Sequence, residues 1–389
     1  LSLMKLNLKY RVVDKNKTVF GTGNTSKVPD EYNTLIPGNP MATMFKDIKI
    51  KLNGVLVTSA NELYPWISKH LHLTKVPAVY RRATEVSARI HYDIEQLTHQ
   101  DWFKKENKKQ EQKDGVKTDF DEDKWANFDT RISKHSINRT VQNDISSYLF
   151  TDMTSAPTPM IIPPDVTVEV ELIPNEPERT VIAALRGFDK EPKPVVEILK
   201  AEITLPRILP EDPANAPQRI DHQFMALSPQ PVFIPKGSSF YQGLVTFPGT
   251  LPSRISVLFL DRTTFDGDYG SNIYNSRAFN VESITFNSGG TQCPAVPLIA
   301  DVAEGHLADM YLRTAESLRF SLSKTGMSLA KTMKEYQGED FLYSCDMSAD
   351  YSADSAWTTR PEECSVALNI RFQKPLHKDI VAIVISESL

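Results

Sequence analysis

The sequence is poor in cysteine and glycine. Three cysteines in 389 residues, Cys293, Cys345 and Cys364, form no closely spaced pair, so a disulfide framework is not expected and a reducing compartment is favoured. Each is expected to be a small buried hydrophobic side chain. Among the 16 glycines, Gly21 and Gly23 lack the third glycine and the strand-to-helix setting of a phosphate-binding loop.

Long hydrophobic runs and an excess of one charge are also missing. The longest apolar runs, 255–260 and 380–385, have the length of strands and fall short of the ~20 residues that cross a bilayer, so no membrane span is predicted. The formal net charge is −5, from 44 basic and 49 acidic side chains, and nucleic acid is therefore expected to bind at most weakly. Leu1 is not a start methionine, and we expect the natural chain to extend upstream.

No motif for catalysis or metal binding is complete. Asp119, Asp121 and Asp123 have the spacing that opens a calcium loop, but Lys124 stands where glycine is required. His70 and His72 have no carboxylate or cysteine at metal spacing, so a surface or helix-capping role is expected for both. The sequence predicts no catalytic residue, no metal site and no cofactor, and hence no enzyme.

Proline, in contrast, is abundant, with 26 residues. Because proline cannot donate to a strand ladder, it is confined to strand ends, edges and turns, and its frequency indicates an all-β chain of many short strands. Alternating apolar and polar residues predict strands at 4–12, 166–172 and 365–373. Asn53-Gly54 predicts a tight hairpin turn between 48–52 and 55–57.

Further strands and a few helices are predicted from weaker patterns. The strands are 86–94, 130–141, 195–205, 240–247, 254–260, 279–286, 341–346 and 380–386. The helices are 61–72, capped by Ser59 or Asn61, together with 306–320 and 328–336.

Composition divides the chain into two halves. Prolines cluster between residues 174 and 194, which predicts an N-terminal unit at 1–192 and a C-terminal unit at 193–389. Each half offers about six to eight short strands, the number that builds one sandwich. Residues 103–124 carry a run of lysines followed by acidic residues and predict a flexible charged loop in the first unit.

Four segments carry a resemblance to a known family. Residues 44–66 hold a strand, an Asn-Gly turn, a second strand and a Tyr-Pro-Trp run, and residues 159–166 lead into alternating valine and glutamate. Residues 249–280 hold a strand, a Gly-Asp-Tyr loop and an asparagine-rich turn, and residues 372–386 close with paired strands. In this order they resemble double jelly-roll major capsid proteins of the Maverick/Polinton and adintovirus type, and related uncharacterised invertebrate proteins.

The resemblance implies an architecture and a role. It implies two consecutive eight-stranded jelly rolls with a few short helices in loops, in a chain that trimerises into pseudo-hexameric capsomers. These would tile an icosahedral shell around a double-stranded DNA genome, in a virion assembled in the host cytoplasm or nucleus. The implied partners are copies of the chain itself, penton or vertex proteins and minor capsid proteins. Residues 211–235 and 265–278 would be exposed loops that form a tower or the surfaces between trimers.

Two other functions are compatible with the same residues. A β-sandwich binding module for carbohydrate or peptide would show the same strand-rich composition. A domesticated capsid-derived protein would still trimerise without forming particles.

Overall fold

The computed structural model describes residues 4–14, 34–36, 38–58, 61–76, 143–154, 161–163, 165–183, 194–206, 225–246, 251–318, 333–348, 353 and 365–388. These residues form sixteen strands in five sheets and six short helices. The strands of the first half are β1 Lys5–Asp14, β2 Thr34–Leu35, β3 Phe45–Leu52, β4 Val55–Leu56, β5 Asn143–Tyr148, β6 Val168–Pro174, β7 Ile182–Ala183 and β8 Pro194–Thr204.

The second half contains eight more strands. They are β9 Ala226–Ile234, β10 Phe240–Thr246, β11 Arg254–Asp261, β12 Val281–Ser288, β13 Thr291–Cys293, β14 Tyr343–Asp346, β15 Ser365–Phe372 and β16 Ile380–Ser388. The helices of the whole chain are α1 Pro40–Thr43, α2 Tyr64–Lys75, α3 Pro177–Thr180, α4 Arg262–Asp266, α5 Ala308–Ser317 and α6 Met333–Gly338. None of the helices described is long and apolar enough to cross a membrane.

Strands of the second half pair in a nested order. The first pairs with the last, β9 with β16, and then β10 pairs with β15, β11 with β14 and β12 with β13, all antiparallel. This rolled hairpin forms two four-stranded sheets, β14-β11-β16-β9 and β10-β15-β12-β13. Buried side chains of both sheets share one core. Two facing sheets built from eight strands in this order are a jelly roll.

The first half repeats the nesting. Here β1 pairs with β8, β2 with β7 and β3 with β6, again antiparallel. Among the described residues β4 pairs with β3, and β5 pairs with β1. The predicted fold class, all-β with two consecutive eight-stranded jelly rolls, is confirmed by this repeated order of pairing.

One predicted strand belongs to a different half than expected. The strand predicted at 195–205 is β8, but it pairs with β1 along Lys5–Asp14 rather than with any strand of the second half. The last proline of the cluster, Pro194, is the first residue of β8. The division at residues 192 and 193 therefore stays a prediction, and β8 lies on the other side of it from its partner strand.

The segment predicted as a long loop at 211–235 contains a strand. β9 includes Pro229 and Pro231, and among the described residues it is an edge strand that pairs only with β16. Proline is tolerated there because one side of an edge strand needs no ladder donors. The prediction of a continuous loop was wrong because two prolines concealed an edge strand.

Local sequence patterns are otherwise reproduced. The β3–β4 hairpin turns at Asn53 and Gly54, whose φ angles are 48° and 79°, as a type I′ turn requires. β15 buries Val366, Leu368 and Ile370 while its intervening residues remain more accessible. The charged segment 103–124 and the strands predicted at 86–94 and 130–141 lie outside the described residues.

β11 and β16 are buried on both faces, which explains their continuous apolar runs. On one face Ile255, Val257 and Phe259 of β11 point into the jelly-roll core. On the other face Leu258 and Leu260 contribute to a separate cluster that includes residues of α2. A strand covered on both sides loses the alternation that a half-exposed strand shows.

Two cysteines are joined in the second jelly roll, contrary to the prediction. A disulfide links Cys293 in β13 to Cys345 in β14, across the two sheets. The two residues are separated by 52 positions, so no local spacing signalled the pair. The facing of the two sheets, and not the spacing in the sequence, brings them together.

Candidate functional site

The described part of the chain has its densest set of buried charged side chains at α2, where the two halves meet. α2 starts one residue before Pro65, a position where proline costs no hydrogen bond. The predicted cap is wrong: Leu63 precedes the helix, and the side chain of Asn61 instead accepts a hydrogen bond from the Leu63 N–H. All of α2 except Lys75 is buried.

Apolar contacts seat α2 on the second jelly roll. Leu63, Trp66, Ile67 and Leu71 share a cluster with outward-facing side chains of β11 and β16. The Trp66 ring stacks on Phe265, with ring centroids 5.0 Å apart. Its Nε1–H donates a 3.1 Å hydrogen bond to the Ile273 carbonyl. We call this contact between α2 and the second jelly roll the joint.

Lys69 makes the first ion pair of the joint. Its ammonium group lies 3.1 Å from Asp340 Oδ1, and the two side chains are 1% and 2% exposed. The same group donates to the carbonyl oxygens of Tyr274 and Glu339, both at 2.5 Å. Lysine is rarely buried unless paired, and here two carbonyl acceptors and one carboxylate of the second half replace the lost water.

Glu387, near the end of β16, is the centre of the second charged cluster. His70 Nε2 lies 3.0 Å from Glu387 Oε1, and Arg254 Nη1 donates to Glu387 Oε2 at 2.7 Å. Lys75 approaches Oε2 at 3.4 Å. Arg254 is the cross-strand partner of Glu387 and also donates from Nε to the Ser317 carbonyl at 3.0 Å. Strands β11 and β16 and helix α2 thus meet at one carboxylate, and α5 is linked to it through Arg254.

Electrostatics fix the protonation of this cluster. Burial alone would raise the pKa of Glu387, but Arg254, Lys75 and His70 outweigh it and hold the pKa well below its usual range. Burial lowers the pKa of His70 more than Glu387 raises it. At neutral pH Glu387 is therefore a carboxylate and His70 is neutral, so His70 Nε2–H is the donor.

The predicted exposed loop at 265–278 is in fact part of the joint. Ile273, Tyr274 and Ala278 are fully buried. Tyr274 packs in the core of the first half, beside Gly38, whose φ is +60° and where a side chain would collide with Tyr274. The prediction of an exposed loop was wrong, because the polar residues of this segment gave no sign in the sequence that these three side chains are buried.

Exposed apolar side chains lie on the second jelly roll, away from the joint. Leu244 is 70% exposed on the edge strand β10, and Phe240 is exposed on the same outer face. A groove of about 340 Å³ runs between residues 294–298 and α5. Val296 and Leu312 beside it are 74% and 53% exposed. These surfaces offer apolar contact area to another molecule.

The described residues contain no cluster of three metal-ligating side chains. His70 and His72, predicted at the surface or at a cap, are both buried in α2, which corrects that prediction. Sequence reasoning missed the ion-pair residues of the joint because their partners lie far along the chain: Asp340 is 271 positions from Lys69 and Glu387 is 317 from His70. A sequence-level signal was the presence of four basic or imidazole side chains on one 12-residue helix otherwise rich in apolar residues.

Comparison with solved structures found capsid proteins. The chain is similar to the mavirus major capsid protein, at 9% identity and a TM-score of 0.48, with 99% of this chain and 80% of that chain covered. It is similar to the capsid of PBCV-1 virus at 9% identity and a TM-score of 0.49, with 98% of this chain and 86% of that chain covered. It is also similar to the major capsid protein P2 of bacteriophage PM2, at 10% identity and a TM-score of 0.29, with 99% of this chain and 98% of that chain covered. No family model and no curated protein matches.

Proposed function

We propose that the chain is a viral major capsid protein, a structural unit that works by associating with copies of itself and catalyses no reaction. The observation that carries this proposal is the nested pairing order, which is complete in β9 to β16 and recurs in β1 to β8 as the pairs β1–β8, β2–β7 and β3–β6. Two similar units in one chain present two similar side surfaces. Three such chains around an axis present six of these side surfaces. Their outline is close to a hexagon, a shape that tiles a surface.

The joint supports this role because a shell unit needs a fixed outline. Two jelly rolls linked only by chain would rotate against each other, whereas relative motion here would separate Lys69 from Asp340 and His70 from Glu387. Separating buried charges from their partners is strongly unfavourable. The two halves are thus held in one arrangement before any contact with a neighbour.

Exposed apolar residues of the second half support contacts between copies. Leu244 and Phe240 lie on β10, and the groove beside α5 adds Val296 and Leu312. We propose that the β10 face takes part in the contact, since the edge of a sheet offers unpaired backbone groups beside apolar side chains.

Finer parts of the proposal follow the family resemblance. We propose a homotrimer with a pseudo-hexameric outline, of the Maverick/Polinton and adintovirus type, in a virion with a double-stranded DNA genome. Vertex and minor capsid proteins would be its other partners. We also propose that the boundary between the units lies between β8 and β9, since β8 pairs with β1.

Light scattering coupled to size-exclusion chromatography, followed by negative-stain imaging, tests the proposal. The full chain is expected at three times the monomer mass, with near-hexagonal particles in the images. A monomer at all concentrations and salt conditions would refute it. Defined binding of a carbohydrate or peptide by that monomer would instead support a β-sandwich binding module.

A pair of variants tests the contact surface. Leu244→Asp places a charge on the proposed contact and is expected to weaken association at least tenfold. Thr291→Asp is the matched control, because Thr291 is exposed at the other edge of the same sheet. Equal association by both variants and the unmodified chain would show that the β10 face is not the contact.

A further inference from the structure

His70 is buried in a way that suits only its neutral form. Its Nε2–H donates to Glu387, whereas Nδ1 is buried and has no hydrogen-bond partner among the described residues. Protonation would add an N–H at Nδ1 that finds no acceptor, and an unpaired buried donor is costly. The neutral ring can leave Nδ1 unpaired at much lower cost than the cation can.

The charges around His70 also oppose a second positive charge. Glu387 on β16 is the anion that faces it, but that carboxylate already binds Arg254 of β11 and Lys75 of α2. The other charged group of α2, Lys69, lies against Asp340, and His72 lies edge-on to Phe150. Protonated His70 would therefore share one carboxylate with two cations that already bind it.

We propose that His70 makes the joint acid-sensitive, so that protonation of its imidazole releases α2 from β11 and β16. Residues of α2 share an apolar cluster with both strands, and its release would remove the contacts that this helix makes between the two jelly rolls. This inference rests on the joint alone and does not depend on the chain being a capsid protein.

The sign of the pH dependence follows from linkage. The folded pKa of His70 lies below its unfolded value of about 6.5, because burial disfavours the charged ring. In the window below pH ~6.5 the opened state binds more protons than the closed state. The joint is therefore fully closed above that value, and its opening constant rises as pH falls, by at most about tenfold per pH unit for one proton.

Hydrogen exchange measured by mass spectrometry on the full chain tests the inference between pH 7.5 and 5.0, after correction for intrinsic exchange rates. In the unmodified chain, protection of α2 is expected to fall by up to about 30-fold between pH 7.5 and 5.0. His70→Gln should abolish this pH dependence. His72→Gln, at the other buried histidine of α2, and His377→Gln, at an exposed histidine, should retain it.

A second variant keeps the test decisive if His70→Gln does not fold. Lys75 lowers the pKa of His70 in the closed state, so Lys75→Met brings that pKa nearer to its value in the opened state and should reduce the loss of protection at low pH. The inference is overturned by protection that is independent of pH in the unmodified chain. It is equally overturned by a dependence that survives His70→Gln, disappears in His72→Gln, or is undiminished in Lys75→Met.

Discussion

Removal of the Lys69 ammonium group should destabilise the chain far more than removal of an exposed lysine. In Lys69→Met, the carboxylate of Asp340 stays 2% exposed without its nearest cation, and the carbonyls of Tyr274 and Glu339 each lose a donor. Removing one partner of a buried ion pair typically costs about 3–5 kcal/mol. The two carbonyl groups that lose a donor add little to this cost, because methionine leaves room for the backbone to relax and the energies of neighbouring contacts do not sum.

The matched control is Lys9→Met. Lys9 and Asp144 form an ion pair at 3.7 Å, with side chains 49% and 66% exposed. Solvent screens this pair, so its removal should change the free energy of unfolding by less than about 1 kcal/mol. The two substitutions are chemically identical and differ only in burial.

Urea unfolding, followed by circular dichroism and by tryptophan fluorescence, measures both effects. Trp66 lies in the joint, and its signal is isolated in a chain that carries Trp102→Phe, Trp125→Phe and Trp357→Phe. Combining Lys69→Met with Asp340→Asn completes a double-mutant cycle, with an expected coupling energy of about 1–3 kcal/mol. The reasoning is refuted if Lys69→Met costs within 1 kcal/mol of Lys9→Met, or if the coupling is absent.

Two further substitutions test one contact between the two halves and one bond within the second half. Gly38→Ala would push a methyl group into Tyr274, whereas the methyl group of Gly54→Ala, also at positive φ, meets no atom. Gly38→Ala should therefore lower the free energy of unfolding in urea by about 1–3 kcal/mol more than Gly54→Ala. Equal losses would contradict the close approach of Gly38 to Tyr274. Reduction of the disulfide between Cys293 and Cys345, or Cys345→Ser, should lower the free energy of unfolding by up to about 4 kcal/mol, because the bond closes a loop of 52 residues. Mass spectrometry of the unreduced chain checks the bond, and a free thiol at both positions would remove the basis for this expectation.

The sequence predicts strands well wherever a local pattern determines them. β15 alternates because one of its faces is buried, and the β3–β4 hairpin follows from the positive φ angles that Asn53 and Gly54 adopt readily. β9 was missed because Pro229 and Pro231 usually exclude a strand, and only its position at a sheet edge permits them. Edge or central position is a property of the sheet and not of the segment.

The joint could not be predicted for a related reason. His70 looks like a surface histidine on α2 until the helix is placed on β11 and β16, whose charged residues are about 180 and 317 positions away. The continuous apolar run in β16 did contain information, since a strand without alternation is buried on both faces. That run indicated that another element packs on the second face of β16, but nothing in the sequence of α2 identifies it as that element.

A joint made of ion pairs has a consequence that an apolar joint would lack. The hydrophobic cluster around Trp66 and Leu71 provides attraction, but apolar surfaces tolerate small shifts with little loss. The Lys69–Asp340 ion pair and the His70–Glu387 hydrogen bond are satisfied in a single register, because a shift of one helical residue separates a buried ammonium group from its carboxylate and a buried imidazole N–H from its acceptor. Attraction therefore comes from the apolar residues and placement from the polar ones. In a unit that must match identical neighbours on several sides, placement is the property on which assembly depends.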